Sequence, residues 1–391
     1  MKKTNLPLLL NIVLLTILIS CSGSDNETPT IDSGILPVTN ADKGSSYTNS
    51  KTDVLVNYYN MPSGTNPGDL RDAIAYIDAN NDGKTDVFIA TGKYLLQGEV
   101  NSFLSLNDGA DNFTNSTKEF NNSMPPATHA RKSIVCDFDN NGFNDIFVFD
   151  HGYDASPFPG SNPKLIIQKS AGSFVWSKLP EIGFFHGGAG ADIDNDGDID
   201  VFVGGFDPFF YINDGRGNFT KTTNRFDNSI SKVFTAELID IDKDGFVDLI
   251  VGAHEQEGDK TSIYWGNSKG SYSSKLRTII TAFKNYGTVL DFDAEDIDKD
   301  GDKDLIINRT GGGNNNFYIG RKIQLLLNVG DRQFTDVTNK IDNPGTDSDA
   351  WFSWLRAQDV DKDGDVDLFP DNLNFNFKYI NDGKGNFTLS M

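Results

Sequence analysis

Short apolar runs recur along this chain in pairs, each pair separated by a polar stretch. Ile74-Ala75-Tyr76-Ile77 precedes Val87-Phe88-Ile89, Ile134-Val135-Cys136 precedes Ile146-Phe147-Val148, and Ala236-Glu237-Leu238-Ile239 precedes Leu249-Ile250-Val251. Val201-Phe202-Val203, Leu305-Ile306-Ile307 and Leu368-Phe369 follow the same kind of polar stretch elsewhere. Runs so short, and so rich in β-branched and aromatic residues, predict buried strands joined as hairpins. A second hairpin follows in most units. Leu106-Asn107-Asp108-Gly109 with Asn112-Phe113-Thr114, Ile212-Asn213-Asp214-Gly215 with Asn218-Phe219-Thr220, and Ile380-Asn381-Asp382-Gly383 with Asn386-Phe387-Thr388 each read as strand, turn, strand. Looser copies are Leu327 to Phe334, Trp265-Gly266-Asn267 with Tyr272, and Gln168 to Phe174. Four antiparallel strands per unit make one propeller blade, so the expected fold is all-β, a β-propeller of six four-stranded blades. Residues 46–70, strand-like at Asp53-Val54-Leu55-Val56-Asn57-Tyr58-Tyr59, are short for a seventh blade and are expected to supply an extra or closing strand.

The polar stretch inside the first hairpin carries the chemistry. It starts at Asp78, Asp137, Asp192, Asp240, Asp296 and Asp359 and follows the pattern Asp-x-Asp/Asn-x-Asp/Asn-Gly-x-x-Asp. A repeat of this kind points to a repeat architecture. Oxygen side chains at positions 1, 3 and 5 point into a tight loop, and Gly at position 6 allows the positive φ that folds the chain back. The position 7 carbonyl and the position 9 carboxylate can then complete a shell. The expected ligands are Asp78, Asn80, Asp82 and Asp86; Asp137, Asp139, Asn141 and Asp145; Asp192, Asp194, Asp196 and Asp200; Asp240, Asp242, Asp244 and Asp248; Asp296, Asp298, Asp300 and Asp304; Asp359, Asp361, Asp363 and Asp367. Hard oxygens without His or Cys select Ca2+, up to six ions. These are not EF-hands, because strands replace the flanking helices and position 12 is apolar in nearly every copy.

The loops together with the Asn-Asp-Gly-x-x-x-Phe hairpins resemble VCBS/FG-GAP repeats, the calcium-bearing blades of integrin α-subunit propellers and many secreted bacterial proteins. The resemblance covers about residues 70–391 and implies that positions 1, 3, 5 and 9 are ligands. It does not imply one function, since such propellers serve as adhesins, lectins, assembly factors and polysaccharide lyases.

Charge changes the picture of partners. Lys and Arg number 34 against 56 Asp and Glu, a net −22, which excludes nucleic acid because phosphate contacts need a basic surplus. At the N-terminus, Lys2 and Lys3 precede a mostly apolar Leu6 to Ile19 and then Leu18-Ile19-Ser20-Cys21. This resembles a bacterial lipoprotein signal peptide, implying cleavage after residue 20 and lipidation of Cys21. Residues 21–45, polar and without apolar periodicity, are expected to form a flexible tether below a propeller over 46–391. The expected location is the outer membrane, at the cell surface or facing the periplasm, with membrane contact through the lipid anchor only. Cys136 would then have no disulfide partner in the mature chain.

Strand order places the starts of the first strands and the ends of the second strands on the end opposite the Asp loops. His129, His151, His186 and His254 all fall there, with Phe184, Phe185, Trp351, Phe352 and Trp354, with Arg131, Arg309 and Arg356, and with the insertions at 152–163, 255–261 and 311–321. Loops on a rigid scaffold are where binding usually lives. The expected ligand set is His129, Arg131, His151, His186, His254, Arg309, Trp351 and Trp354, with the tryptophans suited to a sugar face and the arginines to a carboxylate. Two functions fit. One is a surface binding or adhesion module for glycan or protein. The other is a lyase for uronic-acid polysaccharides that would use His129, Arg131, His186, His254 and Tyr286.

Overall fold

The computed structural model describes residues 69–391 except 94–96, 111, 228–229, 256–259, 312–317, 349 and 371–374. The expected signal segment, Cys21, the tether and the strand at Asp53–Tyr59 lie outside the described residues.

Six sheets of four sequential antiparallel strands form six blades in a propeller arrangement. Blade I comprises Asp69–Ile77, Asp86–Lys93, Phe103–Asn107 and Phe113–Ser116; blade II comprises Ala130–Cys136, Asp145–Asp150, Lys164–Ser170 and Ser173–Lys178. Blade III comprises Phe185–Ala191, Asp200–Gly205, Phe209–Asn213 and Phe219–Thr222; blade IV comprises Val233–Ile239, Asp248–Ala253, Ser262–Tyr264 and Arg277–Ile279. Blade V comprises Thr288–Glu295, Asp304–Gly311, Ile319–Asn328 and Phe334–Asp336, and blade VI comprises Leu355–Gln358, Asp367–Pro370, Lys378–Asn381 and Phe387–Ser390. A short strand at Gly345–Thr346 adds to blade V, and Val100–Asn101 pairs separately with Pro126–Ala127.

Packing between blades holds the ring. Ile134, Phe147 and Phe149 of blade II meet Val203, Phe209 and Tyr211 of blade III, and equivalent apolar layers lie between III and IV, IV and V, and V and VI. Trp354 and Phe369 of blade VI join the core of blades I and II, closing the ring. Each buried Phe of this kind contributes roughly 1.5–3 kcal/mol. First strands of adjacent blades approach one another at the centre. The one in blade III, Phe185-His-Gly-Gly-Ala-Gly-Ala191, has no apolar run because there is no room for one. A Cβ on Gly188 would sit 2.0 Å from the Phe202 carbonyl oxygen and 2.6 Å from the Phe149 ring.

Two details depart from expectation. In blade IV the fourth strand begins at Arg277 rather than at Tyr272. Tyr272 turns inward, stacks on Phe210 of blade III at 5.7 Å and donates its hydroxyl to the Val247 carbonyl. Asp227 holds the following segment by accepting from Ser274 N and Oγ, each at 2.8 Å. The second departure is a register shift near the start of the first strand in five blades. Ala130 pairs with Asp150 but Lys132 with Phe149, so Arg131 is an extra residue. His186 and Phe234 are extra in the same way in blades III and IV, and Leu290 in blade V; blade I is irregular between Leu70 and Ala73. Each shift is a β-bulge, which bends the strand and re-aims the side chain it carries.

Candidate functional site

At one end of the propeller lie the six Asp loops, and their geometry repeats closely. The residue before position 1 pairs with position 9, as Ile77 with Asp86 and Gln358 with Asp367. The position 6 glycines have φ between +80° and +96°, and a Cβ on any of them would meet nothing within 4 Å. Backbone sign rather than space requires glycine there. Position 4, silent in the sequence pattern, is also left-handed, at Asn81, Asn140 and Asn195 and then at Lys243, Lys299 and Lys362.

Within each loop the position 1 carboxylate accepts from the Gly amide at 2.8–3.0 Å. The position 5 side chain accepts from the position 7 amide at 2.8–3.1 Å. Position 3 of three blades meets a cation with one oxygen: Lys169 on Asp139, Arg225 on Asp194 and Arg332 on Asp242. Oδ1 of Asp139, Asp194, Asp296 and Asp298 is buried without a hydrogen bond. Carboxylate oxygens of Asp137, Asp139 and Asp145 lie within 4.8 Å of one another, as do those of Asp192, Asp194 and Asp196, of Asp240, Asp242 and Asp248, and of Asp296, Asp298 and Asp300. An all-oxygen donor set with orphaned buried oxygens is one that could hold a hard cation.

Position 9 does more than the spacing argument allows. All six of these aspartates are at most 1% exposed. Oδ1 of each accepts a backbone amide from its blade's third-strand side at 2.7–2.8 Å. In five blades Oδ2 accepts the position 2 amide, and in blade III Asp200 Oδ2 has no hydrogen bond. Burial, opposed by those amides and reinforced by neighbouring carboxylates, pushes Asp86, Asp145, Asp248 and Asp304 up to about 7 and Asp200 to about 8.

The Asn of the Asn-Asp-Gly turn, which the sequence suggested was only a turn former, is a latch between blades. Asn213, Asn328 and Asn381 each donate to the position 2 carbonyl of the preceding blade's loop, Phe138, Ile241 and Ile297 respectively. Gln168 does the same to Ala79. In blade IV the corresponding residue is Gly266, which has no side chain to donate. Asn112, Asn218 and Asn386 of the Asn-Phe-Thr triplets donate to the turn aspartates Asp108, Asp214 and Asp382, a structural reason for those triplets.

At the opposite end the histidines gather as the strand order suggested. His129 and His151 are 4.9 Å apart between ring centroids, and His151 and His186 are 4.5 Å apart. From His186 the rings continue through Phe234 at 3.7 Å, and Phe234 in turn lies 6.0 Å from His254 and 6.2 Å from Tyr318. Tyr318 stacks on Trp351 at 4.7 Å. Phe184 stacks on Phe206 at 5.2 Å and meets Phe158 edge-on. Phe206 and Phe158 are 50% and 48% exposed, and Arg131, His186, Phe184, Phe234, Tyr318 and Trp351 are half-buried. The bulges explain why Arg131, His186 and Phe234 converge. Phe206 was legible, because it follows its first loop Asp by the same offset as His151 and His254.

Other expected residues are placed elsewhere. Trp354 is 5% exposed, packed in the core shared with blade I, immediately before blade VI's first strand and three residues after Trp351. Phe185 and Phe352 are likewise core. Arg309 is fully buried, its Nε donating to Gln324 at 2.7 Å and its Nη1 3.7 Å from Glu255, so it does not present a guanidinium to solvent. Arg356 is buried beside Asp291. Tyr286 donates to Asp347, and burial and that carboxylate push its hydroxyl up to about 12. Next to Arg131 in the strand, Lys132 is buried and donates to Glu237 at 2.6 Å.

Among the histidines, burial and then the charges of His129 and Arg131 push His151 down to about 2. Burial, followed by His151, Arg131 and the other nearby imidazoles, lowers His186 well below its usual value. Asp150 anchors the backbone beneath them. It accepts from Thr128 N, His129 N, Gly152 N and Ser161 Oγ at 2.9–3.1 Å and pairs with Lys164.

The family described as FG-GAP-like repeat matches residues 78–148, 192–251 and 240–307. A search of curated proteins returned no match. Among solved structures the chain is similar to an Agrocybe aegerita lectin described as recognising non-reducing terminal N-acetylglucosamine, at 17% identity and TM-score 0.44, over 83% of this chain and 79% of that one. It is also similar to a Bacillus licheniformis rhamnogalacturonan lyase of family PL11, at 13% identity and TM-score 0.40, over 89% of this chain and 61% of that one. A third similarity is to the exotype rhamnogalacturonan lyase YesX, at 13% identity and TM-score 0.39, over 81% and 55% of the two chains. The chain thus spans less than two thirds of either lyase. The protein is a six-bladed β-propeller that contains FG-GAP-like repeats.

Proposed function

We propose that this protein is a calcium-dependent binding module that holds a glycan on the end of the propeller opposite its Asp loops. One observation carries the reading: the paired, part-exposed rings Phe184/Phe206 and Tyr318/Trp351 lie on one aromatic chain with His186 and Phe234. Sugars present an apolar C–H face that stacks on such rings, and Arg131 beside them supplies donors for hydroxyl or carboxylate oxygens. Calcium belongs to the proposal through the orphaned loop oxygens. Ions there would hold the hairpins, not touch the glycan.

Ionisation tells against two of the candidate lyase bases. A base that removes a sugar C5 proton works best with a pKa near the working pH. Burial lowers His186 well below that range, and burial with the Asp347 carboxylate holds Tyr286 well above it. Phe206→Ala and Trp351→Ala should each weaken glycan binding by about 1 kcal/mol, on the order of fivefold, with melting unchanged. Titration of the two variants against glycans that bind the parent protein on an array would check this. Parent-like affinity in both would remove the aromatic platform from the reading.

Anchoring is proposed from the N-terminal pattern alone. Metabolic labelling with a radioactive fatty acid should mark the parent protein and leave Cys21→Ala unlabelled; labelling that survives the substitution would contradict the lipid anchor.

A further inference from the structure

The insertion after blade II's second strand brings Asp154 back against two of the buried imidazoles. We propose that His129, His151 and Asp154 form a binding site for a divalent transition-metal ion of the zinc class. One ligand atom from each of the three lies within 4.8 Å of the other two. Nε2 of His151 is 3.9 Å from Oδ1 of Asp154, too far for a hydrogen bond and within reach of one ion held at about 2.0–2.2 Å by each. Nδ1 of His151 lies 3.1 Å from the Gly152 carbonyl oxygen, which can only accept. Nδ1 therefore carries the hydrogen, and Nε2 turns its lone pair toward Asp154. A backbone carbonyl fixing the far nitrogen is the arrangement that orients ligating histidines.

The site is built rather than incidental. Asp150 pins the main chain of His129 and Gly152, and the His151 amide donates to the His129 carbonyl at 3.0 Å. Phe184 and His186 pack on the His151 ring, 3.4 and 4.5 Å between centroids, and restrict its rotation. Two imidazoles and one carboxylate select zinc-like ions, whereas the oxygen-only loops suit calcium, so one chain would carry two metal chemistries at its two ends. Arg131 opposes the ion, its Nη1 standing 3.4 Å from His129 Nε2. It is half-buried on the bulge and must swing aside for a cation to enter. Three protein ligands leave a coordination position open beside half-exposed Asp154. This inference is independent of the glycan reading.

Titrating Co2+ into the protein in excess calcium, which keeps the oxygen loops occupied, tests the site. We expect one Co2+ per chain with visible absorption of a nitrogen-containing, low-coordinate centre, displaced by Zn2+. His151→Ala and Asp154→Asn should each weaken binding at least about 100-fold, and Arg131→Gln should tighten it. Should His151→Ala fail to fold, Asp154→Asn decides, since that side chain is half-exposed. Absence of the band, or a band unchanged in the folded ligand variants, would overturn the proposal.

Discussion

Removing calcium is expected to lower the melting temperature on the order of 10 °C and to slow refolding. An ion that binds only the folded state adds about 2.7 kcal/mol when present at about a hundredfold excess over its dissociation constant. Two or three such sites rival the ~5–15 kcal/mol that holds an ordinary domain together. The loss should also depend on pH. In the metal-free protein five of the position 9 aspartates are raised to about 7 or 8, chiefly by burial. Their contribution is fully present below the ordinary carboxylate range and disappears as pH rises through about 7, because the unfolded chain ionises first. Bound calcium would reverse this by favouring the ionised form. The gap between loaded and chelated protein should therefore widen from pH 5 to pH 8, and calorimetric melts at the two pH values would measure it. Identical melts with and without chelator would sink the calcium assignment.

The largest effect of a single substitution is expected at Asp304. Its two oxygens accept the buried amides of Ile297 and Asn328 at 3.0 and 2.8 Å, and Asn328 in turn donates to Ile241 of blade IV. Asp304→Ala strands two amides at about 1–3 kcal/mol each, a loss of about 2–6 kcal/mol, while Asn328→Ala removes one latch and costs about 1–3 kcal/mol. Both losses should appear in chemical denaturation with chelator present as well as with calcium. If the Asp304→Ala penalty vanished with calcium removed, the residue would act through the ion alone and the clamp would be wrong.

These residues show what a sequence carries and what it does not. The nonapeptides and apolar runs mark the first hairpin of all six blades, because a loop that closes on its own backbone needs glycine and acid at fixed spacing. Asp304 was visible as an acid in that loop, but its bonding to the third strand was not, since a long-range amide leaves no local pattern. The Asn latches looked like turn chemistry for the same reason. Trp351 and Trp354 lie three positions apart and read alike, yet one joins the aromatic chain and the other the core. Both precede blade VI's first strand, and only the path of the chain there separates them. In blade IV the chain from Trp265 to Leu276 is longer than the turns of its sister blades, so the repeat pattern misplaced the final strand.

The bulges carry a consequence for change over time. Arg131, His186, Phe234 and Leu290 are the residues left out of register between the first and second strands. A guanidinium, an imidazole, a phenyl ring and an isobutyl group already occupy equivalent places in four blades without altering the fold around them. Arg131, His186 and Phe234 are half-buried whereas Leu290 is buried. Substitution at the first three is therefore less tied to stability, and drift or laboratory selection can change the side chains at this end in three blades one at a time.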